Sequence, residues 1–202
     1  MPQSKSQPPF TVIYADPPWA YMRWAPPKAV SPGERAPLVR KIPYPTMTTA
    51  DICALPIPSV AAADSILFLW ATYPMLPDAL RVMAAWGFTF KTVAFTWVKQ
   101  NPSGTGFHFG LGYWTRANPE ICLIGIKGRP CRVSKAVPNL IISPRREHSR
   151  KPDEIRERII ELCGDVPRLE LFARQKAPGW SVWGNEVPCD ISLNAPVKHH
   201  LP

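Results

Sequence analysis

The chain has no CxxC pair, and its five cysteines, Cys53, Cys122, Cys131, Cys163 and Cys189, lie far apart. Zinc modules draw their ligands from close pairs, so no metal site is expected. An odd, scattered set also argues against a disulfide scaffold and for a reducing compartment. No GxGxxG occurs, which removes the usual dinucleotide fingerprint. Long apolar runs are missing as well. The longest, Ser65 to Thr72, is far below the roughly 20 residues that a membrane-spanning helix needs. The opening MPQSKSQPP lacks the apolar centre of a secretory leader and reads as a flexible tail over residues 1–9. Acidic residues are few, 15 against 24 Lys and Arg, leaving a net charge of +9. Such an excess suits a polyanion, because phosphate neutralisation supplies most non-specific nucleic-acid affinity.

Proline is plentiful: 26 in 202 residues, against a usual share of about 5%. The prolines sit at element boundaries and in connections, so the pattern is an ordered scaffold with extended loops. Phe10–Ala15 reads as a buried strand. Residues 20–43 show no periodicity and read as a long loop. Thr48 or Thr49 can cap a short helix. SILFLWAT is a second buried strand, and Met75–Trp86 has helical spacing that ends at Gly87. TFKTVAFTWVKQ alternates as a strand does. EICLIGIKG, NLIIS and RLELFA are further strands, with a helix from about Pro152 to Cys163. Strands alternating with helices predict an α/β fold with a largely parallel sheet, one domain over residues 10–187 and a tail over 188–202. Ligands of such sheets bind beyond the carboxyl ends of strands, which singles out Asp16 and Arg174.

Asp16 opens the stretch Asp-Pro-Pro-Trp. Prolines stop a sheet ladder because they carry no N–H. The plain reading is therefore a strand followed by a stiff turn. The chemical reading is a rigid cup of acceptors for a flat base that carries an amine. An adenine amine is a poor nucleophile because its lone pair is delocalised into the ring. A carboxylate and a proline carbonyl accepting its two N–H groups would localise that pair. Rigid carbonyls leave little to reorganise in the transition state. Trp19 adds a face for base stacking, and a duplex base would have to be flipped out to enter.

These residues, with the blocks that follow them, resemble the MT-A family of adenine-N6 methyltransferases. That family includes the seventy-kilodalton mRNA methyltransferase subunit and smaller bacterial and phage relatives. YPTMTTADI, FLWATYPMLPDALRVMAAWGF, TWVKQN, EICLIGIKG, SRKPDEI and LELFAR…GWSVWGNE are similar to the family's blocks in the family's order. The resemblance implies a permuted Rossmann-like fold of the S-adenosylmethionine-dependent class, with the catalytic motif first and the main donor region last. It implies direct methyl transfer from S-adenosylmethionine to the N6 amine of adenine, without metal. It assigns Asp16, Pro17, Pro18 and Trp19 to the catalytic cup and Tyr44 and Trp97 to the target pocket. Asp16, Lys151, Arg174, Asn185 and Glu186 fall to the donor. Arg145 and Arg146, beside His148 and Arg150, form a basic turn suited to phosphates.

Bacterial and phage relatives point to a DNA target and a cytoplasmic setting. The same chemistry on RNA stays open, as does a silent nucleic-acid-binding subunit, which the intact DPPW argues against. Monomer and homodimer both remain open. Cys189-Asp190-Ile191 is a candidate for contacting the donor's adenine. Ribose contacts from Gln175 and Lys176 are left undecided.

Overall fold

A computed structural model describes residues 9–20, 45–110, 112, 114–147 and 150–193. Tyr44, His148 and almost all of the 20–43 loop lie outside these residues. Seven strands form one sheet: β1 Phe10–Ala15, β2 Ala61–Ala71, β3 Thr89–Gln100, β4 Glu120–Lys127, β5 Leu140–Pro144, β6 Arg168–Leu171 and β7 Ser181–Trp183. Their order across the sheet is β5-β3-β4-β2-β1-β6-β7. Among the described residues, three α-helices accompany them: α1 Thr49–Cys53, α2 Leu76–Ala85 and α3 Glu154–Cys163.

The two-residue period of a strand explains the layering. Along β1, Ile13 and Ala15 enter one core, with Ile52 of α1 and Ala79, Val82 and Met83 of α2. Val12 and Tyr14 point the other way, into a second core with Ile155, Ile159 and Cys163 of α3. Helices on both faces of a mostly parallel sheet make this a Rossmann-like α/β fold, as expected. The α1 cap is Thr48, whose side chain accepts from the Asp51 N–H. Gly87 follows α2 with φ of 80°, a conformation that costs glycine little.

One strand departs from the parallel expectation. β4 runs antiparallel to both neighbours, β2 and β3, while the other pairings are parallel. Apolar periodicity carries no direction, so the sequence pattern could not reveal this. The reversal has a consequence for the site. It brings the beginning of β4 to the sheet edge where the parallel strands end.

β1 lies between β2 and β6. The chain leaves β1 toward one side of the sheet and later returns to its other side. That arrangement opens a crevice at the carboxyl end of β1, where Asp16 stands. The expected tail begins docked to the domain. Ile191 and Leu193 pack against the first core, and the Asp190 N–H donates to the Val182 carbonyl at 2.9 Å.

Candidate active site

Asp16 follows the last residue of β1, and its carboxylate meets the Lys151 ammonium. Nζ of Lys151 donates to Oδ1 at 2.8 Å and Oδ2 at 2.7 Å. Lys151 precedes α3, so the contact joins residues 135 positions apart in sequence. The same Nζ lies 3.2 Å from Oε2 of Glu120, the first residue of β4. Lys99, near the end of β3, donates to the other Glu120 oxygen. Two acids and two lysines thus alternate as Asp16–Lys151–Glu120–Lys99 across the edge. Lys151 also sits over the Trp70 ring, 5.4 Å from its centroid.

The charges tune one another. Burial pushes the Asp16 carboxyl above its ordinary value, and Lys151 opposes that rise without cancelling it. Burial would raise Glu120 too, but Lys151 and Lys99 together hold it below the usual carboxylate range. Lys151 remains firmly protonated, since Asp16 and Glu120 outweigh its desolvation.

The prolines form a locked turn. The Pro17 carbonyl accepts the Trp19 N–H at 2.9 Å, a three-residue turn centred on Pro18. The Pro18 carbonyl accepts the Met47 N–H at 2.9 Å. Each carbonyl keeps a second lone pair for a guest. Trp19 corrects the sequence reading. It is only 4% exposed, and its indole N–H donates to the Trp70 carbonyl at 3.0 Å. It is a packed wall of the turn, not a free stacking face. Trp97 is a second correction: 1% exposed, with its indole N–H on the Ser143 carbonyl at 3.2 Å. It lies in the core beneath Lys99.

Asp16, Pro17, Pro18, Trp19, Lys151, Arg174, Asn185 and Glu186 come together around one cavity of about 190 Å³. A second cavity of similar size adjoins it, sharing Asp16, Lys151, Phe172, Arg174 and Glu186. Arg174 stands just beyond β6 and donates to Glu186 at 3.2 Å. Phe172, at the turn between them, has φ of 60°, a strained value for a non-glycine residue of the kind often found at sites. Its ring meets Trp183 edge-on, with centroids 5.5 Å apart. Asn185 and Glu186 follow β7 on a turn that begins at Gly184. A Cβ at Gly184 would come within 2.2 Å of the Ala173 carbonyl oxygen, so glycine lets the two loops touch.

Arg145 and Arg146 stand outside both cavities, exposed beyond β5. Arg146 donates to Asp153 at 2.6 Å, and Arg150 and Arg156 reach the same carboxylate. The glycine-rich loop after β3 exposes Phe107, Phe109 and Trp114. Arg116 and Asn118 tie it to backbone carbonyls.

Sequence reasoning gave no role to Glu120, Trp70, Thr72 or Phe172, all of which line the first cavity. Glu120 left a signal: an acid opening an otherwise apolar strand. Without the strand's direction, that acid could not be placed at the site. The Thr72 hydroxyl is buried with no hydrogen-bond partner among the described residues, and it lines the same cavity. Among the described residues, no group of three His, Cys, Asp or Glu side chains gathers as metal ligands. No helix among them is long and apolar enough to cross a membrane.

Comparison with known proteins follows the same span. The family model described as MT-A70 matches residues 10–186. The Type II methyltransferase M.MunI of a Mycoplasma species is 34% identical over 215 aligned positions, covering all of this chain and 85% of that protein. The human N(6)-adenosine-methyltransferase catalytic subunit METTL3 is 30% identical over 182 positions, 88% of this chain but 28% of its own length. The MT-A70-like N(6)-adenosine-methyltransferase of Arabidopsis thaliana is 30% identical over 88% of this chain and 24% of its own length.

Proposed function

The chain belongs to the MT-A70 family of N6-adenine methyltransferases, and on that premise we propose that it methylates the N6 amine of adenine in DNA, with S-adenosylmethionine as donor. The observation that carries the reading is the Asp16 carboxylate. It stands at the mouth of a rigid double-proline turn, on the wall of the main cavity, with its charge held by Lys151.

The cavity suits that donor chemically. Carboxylates at Asp16 and Glu186 can accept from an ammonium and from ribose hydroxyls. Arg174, Asn185 and Lys151 supply N–H donors for a carboxylate and for ring or ribose acceptors. Phe172 and Trp70 give apolar walls to the same space. When bound, S-adenosylmethionine supplies an electrophilic methyl group on a sulfonium centre.

The protein's own part is to hold and polarise the amine. Asp16 accepts one N–H and pulls electron density onto the nitrogen. A proline carbonyl accepts the other through its spare lone pair. Asp16 then faces the positive charge that grows on that nitrogen, in a site of low dielectric where fixed charges act strongly. Lys151 favours the ionised form of the half-buried Asp16, and Glu120, itself held by Lys99, helps keep Lys151 in place. The basic turn at Arg145 and Arg146 lies on the same sheet edge and suits a phosphate backbone.

DNA is the proposed target because the relative that is 34% identical over all of this chain is named as a Type II methyltransferase, against 30% for those named for N6-adenosine. The test offers methyl-labelled donor with duplex DNA, single-stranded DNA and RNA in parallel, followed by nucleoside analysis. N6-methyladenine in DNA is expected. Label confined to RNA reverses the target, and label on a cytosine amine overturns the assignment.

A further inference from the structure

Asp190 does a task that neither its sequence position nor the site residues suggest. Three short loop segments meet beside the donor end of the cavity. One follows β6 and carries Arg174 and then Lys176. The second follows β7 and carries Asn185 and Glu186. The third, residues 188–193, runs back along the sheet edge. Asp190 ties all three together. Its Oδ2 accepts the backbone N–H of Val182, in β7, at 3.0 Å. Its own N–H donates to the Val182 carbonyl at 2.9 Å. Its Oδ1 accepts from Lys176 Nζ at 2.6 Å. The neighbouring residue adds to the tie. The Gly184 N–H points to Cys189 Sγ at 3.4 Å, and the thiol points to the Gly184 carbonyl at 3.3 Å.

We propose that Asp190 is a positioning residue for the methyl donor, a clasp that fixes the Arg174 loop against the Asn185–Glu186 turn without touching the donor itself. The geometry makes this more than an edge cap. Among the described residues, β7 has three residues and one strand neighbour, β6. Its free side is where the Asn185–Glu186 turn could peel away, and the Asp190 bonds close that side. The loop after β6 is also tied to the turn by the Arg174–Glu186 pair and to the third segment by the Lys176–Asp190 pair. Exposed ion pairs alone stabilise little, so the two Val182 bonds are the firm part of the clasp. Ile191 and Leu193, packed on the core, anchor its far end. Asp190 is thereby assigned a positioning role where the sequence offered it as a contact of the donor's adenine, and the Lys176 ammonium is drawn to Asp190.

The inference rests on the reading that Arg174, Asn185 and Glu186 hold the donor, and its test separates the two. S-adenosylmethionine and S-adenosylhomocysteine binding are measured by calorimetry on the full chain carrying Asp190→Ala, Asp190→Asn, Lys176→Met or Asn185→Ala. Asp190→Ala should weaken donor binding by roughly tenfold or more. The KM for an oligonucleotide and kcat at saturating donor should stay within about twofold. Asp190→Asn keeps an acceptor for the Val182 N–H and should recover most of the affinity. Lys176→Met should have a small effect. Wild-type donor affinity in Asp190→Ala, with Asn185→Ala strongly impaired, overturns the clasp and leaves the donor reading standing. Unchanged donor affinity in Asn185→Ala overturns the donor reading itself. Equal losses of donor and oligonucleotide affinity, unrescued by Asp190→Asn, mark a general folding role and also overturn the clasp.

Discussion

Asp16 is where charge, burial and proposed chemistry meet. Replacing it with Asn keeps the shape of the turn but removes the negative charge and lets an amide N–H face the target amine. The loss of one such transition-state contact typically costs roughly 2.7–4 kcal/mol, two to three decades in kcat, with donor binding less affected. Near-normal turnover by a folded Asp16→Asn variant would reduce DPPW to a turn. The pH dependence carries a sign that can be checked. Asp16 must be ionised to act, and burial places its pKa above the ordinary carboxylate value. Activity should therefore fall as pH drops through that raised value. Lys151 pulls the value down, so Lys151→Met should move the acid limb of the kcat/KM profile to higher pH, whatever it does to the plateau. An unmoved limb would assign the titration to another group. Trp19→Ala should act differently from either. The side chain is buried and hydrogen-bonded, so truncation should cost about 3–5 kcal/mol of stability. Calorimetry should then show Tm lower by on the order of 10 °C. A loss of target affinity at unchanged Tm would restore the stacking role.

At the scale of elements, the loops after β6 and β7 meet because Gly184 has no side chain. A Cβ there would press on backbone atoms of Ala173, its nitrogen at 2.7 Å as well as its carbonyl oxygen. Backbone cannot turn aside as a side chain can. Gly184→Ala should therefore separate Arg174 from Asn185 and Glu186, lowering both Tm and donor affinity, while Gly110→Ala, where a Cβ meets only ordinary contact at 3.4 Å, should leave donor affinity unchanged. Matching losses in the two variants would deny the close approach its role. This scale also shows what the sequence made legible. β1, β3 and the α1 cap stand where alternation, apolar runs and a threonine placed them. β2 starts at Ala61, before the apolar run at Ser65, because its opening residues are small and partly exposed. β7 is too short to show a period. Asp16, Lys151, Arg174, Asn185 and Glu186 were legible through motif resemblance and do share one cavity. Glu120 was not, because its place depends on the direction of β4. Trp19 and Trp97 were misjudged because a tryptophan in a motif looks the same whether it faces a guest or holds the wall behind it.

The whole molecule gathers its chemistry on one edge of the sheet. Asp16 leaves β1 there, Thr72 follows β2, and Lys99 lies near the end of β3. Glu120 opens the reversed β4, Arg145 leaves β5, and Arg174 and Glu186 follow β6 and β7. The chain as a whole carries a net charge of +9, a long-range attraction for a polyanion, but the arginines near this edge are not equivalent. Asp153 receives Arg146, Arg150 and Arg156, so one carboxylate screens part of the charge of each. Arg145 is exposed, and its backbone N–H is bonded to the Gln100 carbonyl at 3.1 Å, which fixes where its side chain leaves the sheet. A phosphate contact by Arg145 releases about one counterion, so Arg145→Ala should flatten the slope of log affinity against log salt by roughly 0.9 for duplex DNA. Arg146→Ala should flatten it by less, because part of that charge is already met by Asp153. Both changes should weaken binding to unrelated sequences about equally, since phosphates carry no sequence. Anisotropy titrations of labelled duplexes over a range of salt concentrations measure these slopes. An unchanged slope in the double variant would place the nucleic-acid face away from the β5 end of the sheet, and the flipped base would then have to approach Asp16 from the side of β6 and β7.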